Sequence, residues 1–387
     1  MKLEKMVTGF LISVFLCTAQ TAIPQMTHTL LLADEGNAKV HRLNTENSSG
    51  RWSTSCSNRD MQLIGNGHLM VSTGGGKGFS ILDLSSGEII REVSVPGVNS
   101  GINSTFLLSP DTVYCTCDGS PDKIFQVDSA GKVLSTITLS ADALVRICRP
   151  TSDGTFLIGG KVSGMVYEFN SAGQKIWECN AGGEPYMAIR LKNGTTLLSN
   201  GYAAQMVLAD ESGNIIKKFP TQNDKNANPS FWNEAKPNFF AGFQVLRNGN
   251  IIVANWQGHG PGYGNSGYQL LEFDGTLSEV IAYWKQDASV VSSLHGVLVL
   301  DNLDSDSAYT DMNGALQPII EPVGISVFRR NSMFHPEEAG SYGIPVHVDL
   351  NGRIRPGTSG NIYGCFLGVS VTDEGGLHCV RQILLPK

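Results

Sequence analysis

Two turn signals alternate along most of this chain, and their spacing constrains the fold more than any other feature. The first is a short polar turn that recurs at nearly regular intervals. Its occurrences end at Gly67, Asp111, Gly154, Gly194 and Gly249, with a sixth expected near Leu303. The intervals run from 40 to 55 residues, which is typical of the four-stranded blade of a β-propeller.

The second signal is a polar turn that ends in glycine and, from Gly87 onward, follows the first by about half an interval. It ends at Gly50, Gly87, Gly131, Gly173, Gly213 and Gly275. The segments between the signals, such as 68–72 and 79–84, are rich in β-branched and aromatic residues and roughly alternate in polarity. We therefore expect four strands in each blade, A to D, with a tight turn between A and B and another between C and D.

The two ends of the repeat region complement each other. Residues 28–58 supply strands B, C and D with no strand A before them, and residues 291–301 match a strand A with no partners after them. The sequence therefore predicts an all-β fold, a six-bladed β-propeller over residues 27–304, whose first blade is completed by the last strand. Such closure removes the open edges that would otherwise end the ring.

The repeats also carry a family resemblance. Segments 170–177 and 248–255 resemble blades of the PQQ-like, quinoprotein-type propeller repeat family, in which a strand ends in a glycine turn followed closely by tryptophan. The resemblance covers about residues 28–304. It implies a propeller and, for the quinone dehydrogenases of the family, a bound quinone. Those enzymes repeat the turn in most blades, whereas this chain has one such turn, from Gly173 to Trp177, so we expect no cofactor.

The segment 1–19 has the features of an export signal. A short charged start precedes an apolar run at 6–16, which is shorter than the 20 or so residues that span a bilayer. Small residues at positions 17 and 19 then mark a cleavage site before Gln20. We expect a signal peptide over 1–19 and a periplasmic or secreted protein. Lipid anchoring at Cys17 is the weaker alternative, because Leu16 precedes it where a small residue is needed.

Composition narrows the range of partners. Charged residues make up 16% of the chain, the net charge is −7, and no run of Lys or Arg occurs. Nucleic acid is therefore excluded as an expected partner. No later segment is apolar enough for a transmembrane helix.

The cysteines do not define a metal site. Seven remain after signal removal, and an odd count leaves at least one unpaired. Cys115 and Cys117 share one strand face, and their C-x-C spacing does not match zinc sites. Cys365 with Cys379 is the favoured disulfide, although the pairing as a whole stays open.

Two long connections place candidate ligand-binding residues on one face. One joins strand D to the next strand A after Gly213, and the other joins B to C at 255–265. In a propeller, these two kinds of connection emerge on the same side, and long loops on a rigid scaffold commonly bind ligands. The candidates are Trp232, Asn255, Trp256, His259 and Tyr263. The alternative is a rigid loop that packs its own aromatic residues.

A second set comes from the register of strand A, which should line the central channel. Counting back by a fixed number of positions from the first turn signal gives Arg59, Asn103, Arg146, Tyr186, Ala241 and His295. We expect these residues to form one ring at the channel mouth, with the polar members as ligand-binding candidates. Arginine suits carboxylate, sulfate or phosphate. The alternative is that each arginine pairs with local carbonyls or with Asp60 and Asp142.

No catalytic motif occurs: there is no Gly-x-Ser-x-Gly elbow, His-Glu-x-x-His pair or phosphate-binding loop. The favoured hypothesis is a non-catalytic binding module for a small anionic, ring-containing or carbohydrate ligand, or a protein. One alternative is a propeller enzyme for sulfuryl or ester transfer or lactone hydrolysis, with His259 or His295 as base. Another is a structural interaction platform. Residues 305–387 do not continue the repeat and should form a linker and a small β-rich appendage.

Overall fold

The structure, a computed structural model, describes residues 22–98, 100–109, 111–141, 144–161, 164–301 and 303, with the backbone of six short strands between 308 and 384. The predicted signal peptide, Cys17 and Asp142 lie outside the described residues. The chain divides into two compact units, Met1–Pro318 and Ile319–Lys387.

The first unit contains six sheets of four blade strands each, arranged in a ring. Within each blade the strands follow one another as an antiparallel meander, which confirms the predicted propeller. Blade 1 contains β1 (Thr29–Asp34), β2 (Lys39–Asn44), β3 (Trp52–Ser55) and β24 (Leu294–Val299), and blade 2 contains β4 (Met61–Gly65), β5 (His68–Ser72), β6 (Gly78–Asp83) and β7 (Ile89–Ser94). Blade 3 contains β8 (Ile102–Ser109), β9 (Thr112–Cys117), β10 (Lys123–Val127) and β11 (Val133–Thr138), and blade 4 contains β12 (Val145–Pro150), β13 (Phe156–Gly160), β14 (Met165–Phe169) and β15 (Lys175–Asn180). Blade 5 contains β16 (Pro185–Arg190), β17 (Thr196–Asn200), β18 (Gln205–Ala209) and β19 (Ile215–Phe219), and blade 6 contains β20 (Phe239–Val245), β21 (Ile251–Trp256), β22 (Leu270–Phe273) and β23 (Val280–Trp284).

The ring closes as the sequence predicts. Strand β24 pairs antiparallel with β1, with Leu30 opposite Val299 and Leu32 opposite Val297. The last strand of the ring is therefore the inner strand of the first blade.

Apolar side chains fill the space between neighbouring blades. Leu69 and Val71 of β5 pack toward blade 1, whereas Met70 between them packs toward blade 3. Successive side chains of a strand point to opposite faces, so a blade buried on both faces needs an almost continuous apolar strand. Five cysteines, all free and buried, share these interfaces: Cys56, Cys115, Cys117, Cys148 and Cys179.

The glycine that ends the C-to-D turn packs against the outer strand of the preceding blade. Gly173 has φ +79°, and a Cβ atom added there would lie 2.1 Å from the Thr138 carbonyl oxygen. Gly213 has φ +85°, and its added Cβ would lie 2.2 Å from the Glu178 oxygen. The second turn signal therefore reflects both a left-handed backbone and a close contact between blades.

The long D-to-A connection is helical, whereas the sequence analysis treated it as a loop. Helix α1 (Gln222–Ala227) begins with a capping box, in which the Thr221 side chain accepts from the Asp224 N–H and the Asp224 carboxylate accepts from the Thr221 N–H. Helix α2 (Pro229–Ala235) follows at once, with Asn228 as its N-cap and proline in its first turn. Among the described residues, no helix is long and apolar enough to cross a membrane.

The residues after the ring form further strands. β25 (Ala308–Thr310) pairs antiparallel with β4, with Ala308 opposite Ile64, and β26 (Gln317–Ile319) follows it. In the second unit, β27 (Ile344–Val348), β28 (Ile354–Arg355), β29 (Cys365–Thr372) and β30 (His378–Leu384) form one sheet in the order β28-β27-β29-β30. The appendage is therefore β-rich, as expected.

The register of β29 and β30 contradicts the favoured disulfide. Cys379 lies opposite Val371, which is far along β29 from Cys365 at the start of that strand. A separation of about six strand positions corresponds to about 20 Å. A disulfide needs Cα atoms within about 7 Å of each other.

Candidate binding site at the channel mouth

The ring predicted from the strand register lies at β-bulges. Asn103, Arg146, Tyr186 and His295 are each the second residue of an inner strand. Asn103, Tyr186 and His295 are each an inserted residue that faces no residue on the neighbouring strand. In β12, the segment Arg146–Ile147 has one residue more than the strand that it pairs with. A bulge redirects side chains and is common beside functional sites. A β-bulge therefore interrupts each of these four inner strands at the position of its predicted ring residue.

Four of the predicted ring members influence one another electrostatically. The charges of Arg59 and Arg146 act on both Tyr186 and His295, and the two guanidinium groups act on each other. Residues at or beside the inner strands of five blades line a cavity of about 20 Å³, to which Arg59 and His295 both contribute. Such a space holds about one water molecule.

Asp60 is not the partner of Arg59. Its carboxylate is held by Arg149, whose Nη2 donates to Oδ1 at 2.6 Å and whose Nη1 donates to Oδ2 at 2.7 Å. Ser104 donates a further hydrogen bond to Oδ2 at 2.5 Å. This buried bidentate pair removes one of the two acids that the alternative hypothesis offered to the arginines, and Asp142 lies outside the described residues.

Positive charge at the ring is incompletely balanced within the described part of the chain. No described carboxylate lies within salt-bridge distance of Arg59 or Arg146, and Arg59 Nε is buried without a hydrogen-bond partner. Burial lowers the pKa of Arg146, and the charge of Arg59 lowers it further. Burial also raises the pKa of Asp118, whereas Arg146 and Asn103 act to lower it. The raised pKa makes the negative form of Asp118, which could balance the arginines, less favourable.

Tyr186 and His295 add two buried polar atoms without partners. Their rings lie 6.0 Å apart at 28°, and neither the Tyr186 hydroxyl nor His295 Nδ1 has a hydrogen-bond partner among the described residues. Burial raises the pKa of Tyr186 to about 12. Burial, with the charge of Arg59, lowers the pKa of His295 well below its usual value. At neutral pH the pair is therefore an uncharged phenol beside an uncharged imidazole.

The B-to-C loop of blade 6 joins this group through Trp256. Its indole stacks on His295 at 6.0 Å and 16° and is 6% exposed. On the indole, His259 packs edge-on at 4.7 Å. Glu35, from the turn after β1, bridges them: it accepts from Trp256 Nε1 at 3.1 Å and bonds His259 Nδ1 at 2.9 Å. Sequence reasoning missed Glu35 because it lies in the first blade, far along the chain from both partners.

Two further aromatic side chains are exposed on this face. Tyr202, which the sequence analysis did not select, is 58% exposed and packs edge-on against Phe239. Tyr263 is 52% exposed, and its ring covers Gly258, where an added Cβ would lie 2.6 Å away. These two rings, rather than Trp256, present open faces to solvent.

Three selected residues hold the protein together instead of lining the mouth. Asn103 donates to the Val145 carbonyl at 2.8 Å and so ties two blades. Asn255 is buried and accepts from the Asn238 N–H at 2.9 Å. Trp232 is 7% exposed, and the structure does not place it with Trp256. It packs on Phe219 and Phe231 beside a separate cavity of about 410 Å³ at α2.

The channel mouth contains several buried polar atoms without hydrogen-bond partners among the described residues. Among the described residues, no group of three or more His, Cys, Asp or Glu side chains could hold a metal ion. Among the described residues, the buried polar atoms without partners in this region include two donors, Arg59 Nε–H and the Tyr186 hydroxyl, and the imidazole nitrogen His295 Nδ1. The acceptor oxygens Asp118 Oδ1 and Asn58 Oδ1 also lack partners.

Comparison with known proteins bears on the fold. No protein-family model matches the chain, and curated proteins give no significant match. A solved protein of unknown function from Bacteroides caccae is 20% identical with a TM-score of 0.58, over 72% of this chain and 100% of that chain. A streptogramin B lyase is 13% identical with a TM-score of 0.50, over 77% of this chain and 94% of that one. These likenesses support a propeller without singling out the PQQ-like repeat, and together with the sheet topology they lead to one structural conclusion: the chain is a six-bladed β-propeller.

Proposed function

We propose that this propeller is an exported binding module that holds a small anion at its channel mouth, between Arg59 and Arg146. The observation that carries the proposal is the pair of half-buried guanidinium groups that lack a described carboxylate partner. A carboxylate, sulfate or phosphate group offers the oxygen geometry that arginine binds best. The neutral Tyr186 hydroxyl beside them supplies another donor.

The electrostatics support binding of an anion rather than of water alone. Burial and the charge of Arg59 lower the pKa of Arg146, so Arg146 is charged at an electrostatic cost that a bound anion would relieve. A buried polar group without a partner costs about 1–3 kcal/mol. An anion that accepts from Arg59 Nε would remove that penalty as well.

The exposed rings suggest the rest of the ligand. Tyr202 and Tyr263 are each more than half exposed on the loop-bearing face. Aromatic faces of this kind suit the apolar faces of sugars and planar rings. We therefore favour an organic anion that carries a ring or sugar over a bare inorganic ion.

Isothermal titration calorimetry with sulfate, phosphate, succinate and benzoate, in a buffer free of other multivalent anions, tests the binding site. Arg59→Gln and Arg146→Gln should each weaken binding about tenfold or more, since a hydrogen bond to a charged group contributes about 1.5–3 kcal/mol. The matched control is Arg247→Gln, an exposed arginine in the A-to-B turn of blade 6, which should bind as the wild type does. Equal affinity in all four proteins, or no binding of any anion, would refute the proposal.

Export and the repeat family stay proposals. Export rests on the apolar run at 6–16, and sequencing of the mature N-terminus should find Gln20 first. Detection of Met1 in the extracytoplasmic fraction would contradict it. The PQQ-like resemblance rests on turns such as Gly173 to Trp177, where the indole donates to the Glu211 carbonyl of the next blade at 2.8 Å. That contact joins blades and does not require a quinone.

A further inference from the structure

We propose that the channel mouth is also catalytic, and that His259 acts there as a general base in the hydrolysis of an ester of the bound anion. This inference rests on the proposed function, because Arg59 and Arg146 would hold the acidic group of the substrate. It goes beyond that function, since binding alone needs neither His259 nor Glu35.

The pairing of His259 with Glu35 is the first argument. Glu35 Oε1 lies 2.9 Å from His259 Nδ1, and its other oxygen, Oε2, accepts from the Trp256 indole at 3.1 Å. The carboxylate is thus fixed by two partners on different sides. Because a carboxylate accepts, the proton of neutral His259 belongs on Nδ1, which leaves Nε2 as the acceptor. A base oriented by a carboxylate in this way is the arrangement found in hydrolytic enzymes on unrelated folds.

The loop that carries His259 is firmly attached to blade 1. The N–H groups of Gln257 and Gly258 both donate to Ser293 Oγ, at 2.9 and 3.1 Å. Ser292 Oγ donates to the Gly260 carbonyl at 3.1 Å. The backbone on both sides of His259 is therefore bonded to the segment that leads directly into His295.

His259 combines this fixed position with access to water. Its side chain is 76% exposed, whereas the Glu35 side chain that orients it is only 23% exposed. The His259 imidazole packs on Trp256, which also stacks on the ring of His295, and the charge of His259 acts on His295. His259 is therefore open to solvent and is connected through Trp256 to His295, on which the charges of both arginines act.

The reaction is balanced with water as the only co-reactant. His259 Nε2 takes a proton from water while the water oxygen forms a bond to the ester carbonyl carbon, and the carbonyl π electrons move to its oxygen. When the tetrahedral intermediate collapses, the bond from carbon to the alcohol oxygen breaks and that oxygen takes the proton from His259. Between these two steps the former carbonyl oxygen carries the negative charge.

The test uses 4-nitrophenyl hydrogen succinate, an ester that keeps one free carboxylate, with release of 4-nitrophenolate followed by absorbance. Wild type should hydrolyse it, and His259→Gln should lose about 10²-fold or more in kcat/KM, the usual contribution of a positioned base. Glu35→Gln, which affects positioning, should lower kcat with KM little changed. The matched control is His68→Gln at the start of β5, which should keep full activity.

Calorimetry with succinate separates the two proposals. Succinate should bind His259→Gln and wild type equally, and unchanged thermal unfolding shows that the variant is folded. If succinate binds wild type but the ester is not turned over, or is turned over equally by His259→Gln, the catalytic inference fails and the binding function stands. If succinate does not bind wild type, both fail.

Discussion

At the scale of single residues, the pairing of Asp60 decides which arginines remain available at the mouth. Arg149 donates hydrogen bonds to both carboxylate oxygens of Asp60 in a buried bidentate pair. Asp60 is therefore paired with Arg149 and not with Arg59, its neighbour in the chain. Breaking a buried pair is far costlier than breaking an exposed one. The Asp60–Arg149 pair is therefore a fixed structural element, and Arg59 with Arg146 is the site that a ligand can change.

Gly173 gives a residue-scale prediction for stability. Gly173→Ala should lower the free energy of unfolding by more than Gly154→Ala does, by about 1–3 kcal/mol, because an added methyl group must displace its neighbours. Both glycines have positive φ, +79° and +76°, but an added Cβ meets the Thr138 oxygen at 2.1 Å in the first and nothing within 4 Å in the second. Urea unfolding of the two variants measures the difference. Equal losses would show that backbone strain alone, and not contact between blades, explains the glycine.

Sequence reasoning located the ring because strand register is a local property. Counting back from a turn predicts which face a residue occupies, and the charge of Arg146 does act on both Tyr186 and His295. It could not find Glu35 or Asp118, because each reaches the mouth from another blade and nothing near it in the chain marks the contact. The bulges were also invisible, since an extra strand residue leaves the spacing of turns almost unchanged.

At the scale of elements, the connection after β19 shows what a turn-based prediction leaves out. The excess length of this connection indicated an insertion, and the insertion exists, but it forms α1 and α2 instead of an open loop. The local signals were present: Thr221 with Asp224 makes a capping box, and Asn228 precedes a proline. Trp232 packs against Phe219 and is buried, so its ring is not open to solvent as an exposed loop residue would be.

The outer strands show a second regularity of elements. The second residue of the outer strand is an exposed aliphatic in four successive blades, namely Ile90, Leu134, Ile176 and Ile216. In blade 6 the outer strand is instead covered by the N-terminal segment, where the Met26 N–H donates to the Tyr283 carbonyl at 2.9 Å. The outer strands of the blades thus have similar sequences but different surroundings, and amino-acid composition alone does not reveal which outer strand is covered.

At the scale of the whole molecule, closure depends on polar groups as well as on strand pairing. His28, immediately before β1, lies between Asp301, which follows β24, and Glu272 of blade 6, at 2.6 and 3.1 Å. The Thr29 N–H also donates to Asp301 at 2.9 Å. The two ends of the ring are therefore joined to each other and to the neighbouring blade. The sequence predicted this closure because the first blade lacked a strand A and a single strand A remained after the last blade.

The closure predicts a pH dependence of stability. The hydrogen bond to Glu272, followed by that to Asp301, raises the pKa of His28 against the effect of burial. The folded state thus binds the proton more tightly than the unfolded state, so the stabilisation is complete below the ordinary pKa of about 6.5 and is lost as pH rises through the raised value. The melting temperature should decline over that range in wild type and decline less in His28→Gln. Differential scanning calorimetry from about pH 6 to pH 9 compares them. Parallel profiles would rule out this role.

The central claim, that Arg59 and Arg146 form an anion site, has one most direct measurement. Crystals grown without sulfate or phosphate would be soaked in selenate, and anomalous scattering at the selenium edge would locate the ion. The account predicts a strong selenium peak between the guanidinium groups of Arg59 and Arg146, close to the side chains of Tyr186 and His295. The peak should be lost in Arg146→Gln. Selenate peaks only elsewhere on the surface, with the channel mouth empty, would contradict it.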